Sequence, residues 1–166
     1  MFPEFTTTGI GSLPHEDAAG ACSAVLDNFD IPFWPQLPKR AFTESMVVQY
    51  SEGMPFIKID DSRERVWLER EEDDTPLRQF YETYTAERPA SAISEPYAAG
   101  FYELLRGAPL KSGGKHPFIN VIKGHITGPL TFTLGLKDHN GRDIFYDEEL
   151  REIALMLLAA KAAWQV

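Results

Sequence analysis

The stretch that most constrains the fold is residues 119–133, INVIKGHITGPLTFT. It begins with the apolar run 119–122, in which β-branched residues favour a strand. The run leads directly into residues 123–129, a turn that starts with Lys123 and contains two glycines and a proline. Glycine lets the backbone come close to a ligand, and loops at the ends of rigid elements commonly carry binding residues. We therefore predict a ligand site at the end of this strand, where Lys123 supplies positive charge.

A second stretch of the same character lies near the N-terminus, TTTGIGSLPH at residues 6–15. Its three threonines favour a strand over residues 6–10, and Gly11, Ser12 and Pro14 end that strand. In parallel α/β sheets ligands bind outside the carboxyl ends of the strands. We therefore expect the two strand ends to converge on one pocket.

Strand and helix patterns alternate along the chain. Extended patterns cover residues 6–10, 31–38, 56–60, 66–68 and 119–122, and helical spacing of apolar residues covers 15–29, 43–50, 77–85, 96–105 and 146–166. Such alternation predicts an α/β fold with parallel strands and crossover connections. A closed barrel of eight units takes roughly 200 residues or more. We therefore predict a partial (β/α)8 TIM barrel, with its first three to four βα units in one domain over residues 1–166 and an inserted hairpin and helical excursion at about 57–115.

The charge and hydropathy of the chain limit the classes of binding partner that we expect. Lys plus Arg number 16 and Asp plus Glu number 25, which gives a formal net charge of −9. This sign argues against nucleic acid as a partner, because phosphate binding requires positive charge. No apolar run approaches the ~18 residues of a membrane span, and no signal peptide precedes residue 6, so a cytoplasmic protein is expected. The single cysteine, Cys22, excludes an intrachain disulfide and a cysteine-based zinc site.

Two segments resemble the catalytic barrel of cobalamin-independent methionine synthase. Residues 7–14, TTGIGSLP, are similar to its Thr-Thr-x-Ile-Gly-Ser-x-Pro strand, and residues 123–131, KGHITGPLT, to its Lys-Gly-x-x-Thr-Gly-Pro-x-Thr segment. Residues 43–50 and 147–159 resemble helices of the same barrel, whereas residues 58–114 carry no matching motif. The uroporphyrinogen decarboxylase and methylcobamide methyltransferase families share the barrel and a Gly-Pro-x-Thr segment.

The resemblance implies a substrate-binding site. In that family the Ile-Gly-Ser strand end holds the amino-acid part of homocysteine, a role that would fall here to Ile10, Gly11 and Ser12. His15 stands where the family commonly has a glutamine and would face the pocket. The second wall of the pocket would comprise Lys123, Thr127, Gly128 and Thr131. For each group a plainer interpretation stays open: residues 11–14 as a strand-to-helix turn, Lys123 as a surface lysine, and His125 as a bystander rather than a proton donor or ligand.

The resemblance also implies a bound zinc ion, whose ligands this chain does not contain. The family's zinc ligands, His, Cys, Glu and Cys, lie in the second half of the barrel and are absent from these 166 residues. The family's substrate-binding glutamate follows the second strand, where residues 38–41 contain no carboxylate. We therefore expect a fragment of a zinc-dependent methyltransferase that acts on a thiol such as homocysteine. It would lack its metal site and be inactive alone, and no catalytic residue is assigned.

Two other functions remain open. The chain would serve as a non-catalytic half-barrel if it paired with itself or with a partner chain that covers the open edge. A uroporphyrinogen decarboxylase-like enzyme ranks lower. That family uses arginines and an aspartate near the first strand, and residues 11–15 contain neither.

Overall fold

The computed structural model describes residues 5–84, 91–107 and 121–166. These residues belong to two compact units. The first unit combines Met1–Ser45 with Ser94–His125, and the second combines Met46–Ile93 with Ile126–Val166. Each unit therefore joins two separate parts of the chain.

Helices dominate the regular structure. In chain order the described elements are α1 (Ala18–Asn28), α2 (Met46–Ser51), β1 (Ile57–Asp60), β2 (Arg65–Leu68), α3 (Thr75–Tyr84), α4 (Ala99–Gly107), α5 (Pro129–Gly135) and α6 (Glu148–Trp164). Short 3-10 turns lie at Phe42–Glu44, Asp61–Arg63, Glu95–Tyr97 and Ile144–Tyr146. The five predicted helices are present with shifted ends, whereas α5 was not predicted. No helix within the described ranges combines the length and the apolar character needed to cross a bilayer.

The predicted fold class, a partial TIM barrel of several βα units, is wrong. The sheet of the described residues has two strands, β1 and β2, which pair antiparallel with Ile57 opposite Leu68. The predicted parallel strands contribute single bridges instead, at Thr8–Ile31, Ser12–Gln36 and Phe33–Lys123. Proline cannot donate to a strand ladder and glycine weakens a strand, so the prolines at 32 and 35 and the glycines at 9 and 11 keep these segments from forming continuous strands. Residues 119 and 120 of the predicted third strand lie outside the described ranges. The protein is a small α/β protein.

In the first unit, α1 and the extended segment 31–36 both contact α4. The Cys22 thiol on α1 donates a hydrogen bond to the Gly100 carbonyl at 3.4 Å. A Cβ placed on Gly100 would lie 2.1 Å from the Pro35 carbonyl oxygen. Trp34, which is 1% exposed, meets the ring of Phe101 edge to face with centroids 5.8 Å apart. Segment 31–36 therefore approaches α4 so closely that position 100 has no room for a side chain.

In the second unit, α6 is the central helix. Asp147 caps its N-terminus by accepting a hydrogen bond from the Leu150 amide at 3.0 Å. The buried face of α6 includes Ile153, Ala154 and Leu157, all 0% exposed, and packs against α2, α5 and the turn Ile144–Tyr146. This face follows the apolar spacing of the sequence, in which residues three or four positions apart share one side of a helix.

Lys161 lies on this same buried face of α6. It is 0% exposed, and its Nζ has no hydrogen-bond partner among the described residues. Burial lowers the pKa of Lys161 to about 8, while the charge of Glu52 opposes the shift. A buried ammonium without an acceptor is unfavourable, because its lost hydration is not replaced.

We expect Gly100→Ala to lower the free energy of unfolding by about 1–3 kcal/mol, because the new methyl group would meet backbone atoms of Pro35 that cannot easily move. Gly107→Ala, at the end of the same helix, is the matched control, since a Cβ there meets nothing within 4 Å. Urea denaturation followed by circular dichroism measures both variants. Equal stabilities of the two would contradict the close contact.

We expect Lys161→Met to raise the free energy of unfolding at pH 7 by up to about 3 kcal/mol, the free energy that corresponds to lowering the pKa from 10.5 to about 8. Below pH 8 the folded and unfolded chains both carry this proton, and the penalty on the wild type is complete. Between pH 8 and 10.5 the unfolded chain binds more protons, so wild-type stability rises with pH relative to the variant. Urea denaturation at pH 7 and pH 10 tests this. An advantage of the variant that stays constant with pH would contradict it.

Candidate functional site

Three extended segments of the first unit run parallel and end on one side. The Ile31 amide donates to the Thr7 carbonyl at 3.0 Å, and the Lys123 amide donates to the Pro32 carbonyl at 2.8 Å. Segment 31–36 therefore lies between segment 7–12 and segment 121–123. Because all three bridges are parallel, the segments end on the same edge. This edge is the candidate site.

Lys123 links the third segment to the first. Its ammonium donates a hydrogen bond to the Gly9 carbonyl at 2.9 Å, although 114 residues separate the two in sequence. The structure thus places the Lys123 ammonium at Gly9, the residue before the Ile-Gly-Ser strand end, and the shared pocket stays a prediction. Lys123 is half-buried, so its amine is held by the protein rather than free in solvent.

The first segment ends in an open turn. Gly11 has a φ of +83°, a left-handed conformation that glycine adopts without strain, and a Cβ there would meet nothing within 4 Å. Ile10 is 75% exposed. The Ser12 hydroxyl donates to Gln36 Oε1 at 3.1 Å, and the Leu13 amide donates to the Gln36 carbonyl at 2.9 Å. The turn is therefore anchored to the middle segment at Ser12 while the backbone at Gly11 stays accessible.

Two histidines adjoin this edge. His15 is half-buried, and its Nδ1 is shielded from solvent without a hydrogen-bond partner in the described part of the chain. The imidazole of His125 stacks on Trp34, with centroids 3.8 Å apart and planes 21° from parallel. Burial, and secondly the charge of Lys123, lower the pKa of His125 to about 4. His125 is therefore a neutral ring at physiological pH, which excludes it as a cationic anion ligand.

The remaining predicted site residues belong to the second unit. The Thr127 hydroxyl donates to the Met46 carbonyl at 3.0 Å, and Thr127 is 5% exposed. Gly128 occupies the N-cap position of α5, ahead of Pro129. Thr131 is exposed on the first turn of α5. Thr127 therefore has a clear structural role, because its hydroxyl anchors the loop that leads into α5. The assignment of these three residues to the substrate site stays a prediction.

Sequence reasoning missed a buried carboxylate next to the candidate site. Glu44 is 0% exposed, accepts a hydrogen bond from the Leu37 amide at 3.0 Å, and pairs with Arg40 at 2.5 Å. Burial raises the pKa of Glu44, against the lowering effects of Arg40 and of the amides of Leu37 and Ala99. The Glu44 carboxylate thus braces the loop after the middle segment. The spacing of Arg40 and Glu44, four residues apart, was the available signal.

Gln36 was also missed. It is 2% exposed at the end of the middle segment, and its side-chain oxygen accepts the Ser12 hydroxyl. The sequence shows it only as one polar residue between two prolines, 35 and 38. Its burial becomes visible only once the three segments are placed side by side.

The described residues do not fit a zinc ion. No group of three or more His, Cys, Asp or Glu side chains in ranges 5–84, 91–107 and 121–166 is arranged to hold a metal. Cys22 is buried, and burial, followed by the charges of Glu103 and Asp17, raises its pKa to about 12. Zinc binds the thiolate form of cysteine, so this thiol is a poor ligand.

Comparison of the chain with protein-family models, with curated proteins and with solved structures returns no match. The resemblance to methionine synthase-like barrels therefore rests on the motifs at residues 7–14 and 123–131 and stays a prediction.

We expect Glu44→Ala to lower the free energy of unfolding by about 2–4 kcal/mol, because the Leu37 amide and the Arg40 guanidinium would lose a buried acceptor. Glu72→Ala is the matched control, since Glu72 is exposed on the surface. Urea denaturation at pH 7 measures both. A loss no larger than that of Glu72→Ala would contradict the bracing role.

Proposed function

We propose that the edge formed by Gly11, Ser12 and Lys123 binds the carboxylate of a small amino-acid thiol such as homocysteine. The chain would thereby serve methyl transfer to that thiol, as in methionine synthase-like methyltransferases. The observation that carries the proposal is the 2.9 Å hydrogen bond from the Lys123 ammonium to the Gly9 carbonyl. This bond fixes the Lys123 ammonium at Gly9, two residues before Gly11 in the open turn.

The charges at the site favour an anionic group. An ammonium has three N–H donors, so its bond to Gly9 orients Lys123 without using its full capacity. A carboxylate bound to a fixed ammonium gains a charge-assisted hydrogen bond, which is stronger than a neutral one. His125 is neutral, and Lys123 supplies positive charge at this edge. The exposed backbone at Gly11 admits close approach by the ligand.

The reaction itself needs groups beyond this edge. In methyl transfer the thiol loses its proton, the sulfur forms a bond to the methyl carbon, and the bond between that carbon and the donor breaks. The described side chains do not fit the zinc that the family resemblance implies. We therefore assign to this chain the binding and orientation of the amino-acid end of the substrate, and no step of thiol activation. A cytoplasmic location is part of the proposal, in keeping with a single cysteine that remains a free thiol.

A second candidate function is association, with a second copy or with a partner chain. Exposed apolar side chains in the first unit favour association. The exposed fraction is 75% for Ile10, 41% for Val121 and 38% for Ile122. Exposed apolar side chains beside an extended segment are typical of surfaces that pair with another chain. Light scattering, which gives the molar mass in solution, separates this candidate from the first.

We expect L-homocysteine to bind the wild-type chain more tightly than 3-aminopropane-1-thiol, which has the same skeleton without the carboxylate. Lys123→Met should weaken homocysteine binding by about 10- to 100-fold, the value of one charge-assisted hydrogen bond. Isothermal titration calorimetry under reducing conditions measures both effects. Lys58→Met is the matched control, since Lys58 lies on β1 in the second unit, where its ammonium pairs with Glu71. The proposal fails if Lys123→Met binds homocysteine as tightly as the wild type does, or if both thiols bind equally.

A further inference from the structure

One residue of the middle segment, Phe33, adjoins both partners of the bond between Lys123 and Gly9. Its backbone forms the parallel bridge to Lys123, whose amide donates to the Pro32 carbonyl at 2.8 Å. Its ring reaches the first segment, because a Cβ placed on Gly9 would lie 2.8 Å from Phe33 Cζ. Phe33 therefore lies between the residue that carries the ammonium and the residue that accepts its hydrogen bond.

A second ring holds the ring of Phe33 in place. Phe29, at the C-cap of α1, meets it edge to face, with centroids 5.2 Å apart and planes 72° from parallel. The Phe29 ring also reaches Gly9, since a Cβ there would lie 3.2 Å from Phe29 Cε1. Phe33 is 2% exposed, so its ring cannot turn into solvent without opening the close-packed core. The two rings thus form a fixed wall against which Gly9 packs.

Gly9 packs against this wall with its backbone. A side chain at position 9 would occupy the space of the Phe33 ring, so only glycine lets the main chain lie directly on that ring. A main chain that rests on a fixed ring holds its carbonyl group in a fixed place. The Lys123 ammonium donates to this carbonyl at 2.9 Å. The position of the ammonium therefore depends on the Phe33 ring, through Gly9.

The flexibility of lysine makes this support important. A lysine ammonium sits on a four-carbon stem with free rotation, so it keeps one position only where an acceptor fixes it. The acceptor here is a backbone carbonyl, whose place is set by the packing of Gly9. An ammonium that is ordered before the ligand arrives binds a carboxylate more tightly, because less conformational entropy is lost on binding.

We propose that Phe33 is a positioning residue of the carboxylate site: it holds the Lys123 ammonium in place through Gly9 and thereby sets the preference for a ligand that bears a carboxylate. Phe33 acts through these two residues and not as a ligand contact. The inference rests on the proposed function as far as the ligand is concerned. Its structural part, the place of the ammonium, is measured without any ligand.

The first experiment observes the lysine ammonium groups of the ligand-free chain by proton–nitrogen NMR at low temperature. We expect a resolved signal for Lys123, assigned by its loss in Lys123→Met, because an acceptor holds this ammonium. Phe33→Leu should shift or broaden the signal, since the space left beside Gly9 lets the carbonyl move. Phe132→Leu is the matched control, because Phe132 is a buried phenylalanine of α5 in the second unit. No resolved Lys123 signal in the wild type, or the same signal in Phe33→Leu, would overturn the proposal.

A milder variant keeps the test decisive if Phe33→Leu does not fold, which circular dichroism establishes for each variant. Phe29→Leu retains the Phe33 ring and removes its edge-to-face partner, and Phe29 is only half-buried. We expect the Lys123 signal to change in the same direction as in Phe33→Leu, by a smaller amount. Where Phe33→Leu does not fold, an unchanged signal in Phe29→Leu overturns the proposal.

The second experiment measures the preference for L-homocysteine over 3-aminopropane-1-thiol by isothermal titration calorimetry. We expect Phe33→Leu to lower this preference about tenfold, through weaker binding of homocysteine. In the Lys123→Met background the same substitution should leave the preference unchanged, because Phe33 acts through Lys123. An equal loss of preference in both backgrounds would show a general structural role and contradict the inference.

The two experiments separate this inference from the proposed function. If the wild type binds both thiols equally, the proposed function fails, and the NMR signal still decides whether Phe33 places the ammonium. If Lys123→Met weakens homocysteine binding and Phe33→Leu does not, the proposed function stands and the positioning role of Phe33 is wrong.

Discussion

Contact between Pro35 and Gly100 sets the position of segment 31–36, and the candidate site depends on that position. A Cβ at residue 100 would lie 2.1 Å from the Pro35 carbonyl oxygen, so only glycine lets the segment approach α4 this closely. From there the segment reaches both neighbours, with bridges to Thr8 and Ser12 on one side and to Lys123 on the other. Without this central position, Lys123 would have no path to the Gly9 carbonyl. A packing contact in the core thus helps to determine where the half-buried Lys123 ammonium lies.

The sequence predicted local structure well and long-range pairing poorly. The apolar spacing of α6 and α1 and the alternation of the hairpin β1–β2 are local patterns, and each produced the expected element. The barrel was wrong because strand pairing depends on partners far away in the chain. Residues 6–10 and 31–38 contain extended, β-favouring residues, but their glycines and prolines limit them to single bridges. A β-favouring composition shows that a segment is extended and does not show that it forms a ladder.

The same division applies to the site. The two glycine-containing strand ends were predicted to converge on one pocket; a hydrogen bond joins Lys123 to Gly9, and the pocket itself stays a prediction. Glu44 and Gln36 were missed because the burial of a polar side chain depends on what covers it in three dimensions. Lys161 lies on the buried face of α6. That its amine would find no acceptor among the described residues follows only from the packing around it. Buried polar groups are thus where reasoning from sequence is weakest.

The buried thiol of Cys22 has a consequence for the kinetics of the first unit. As the only cysteine, with a raised pKa and a hydrogen bond to Gly100, it is inert while α1 and α4 remain together. An alkylating reagent can reach it only after those helices separate. The rate at which Cys22 is alkylated therefore measures how often α1 separates from α4.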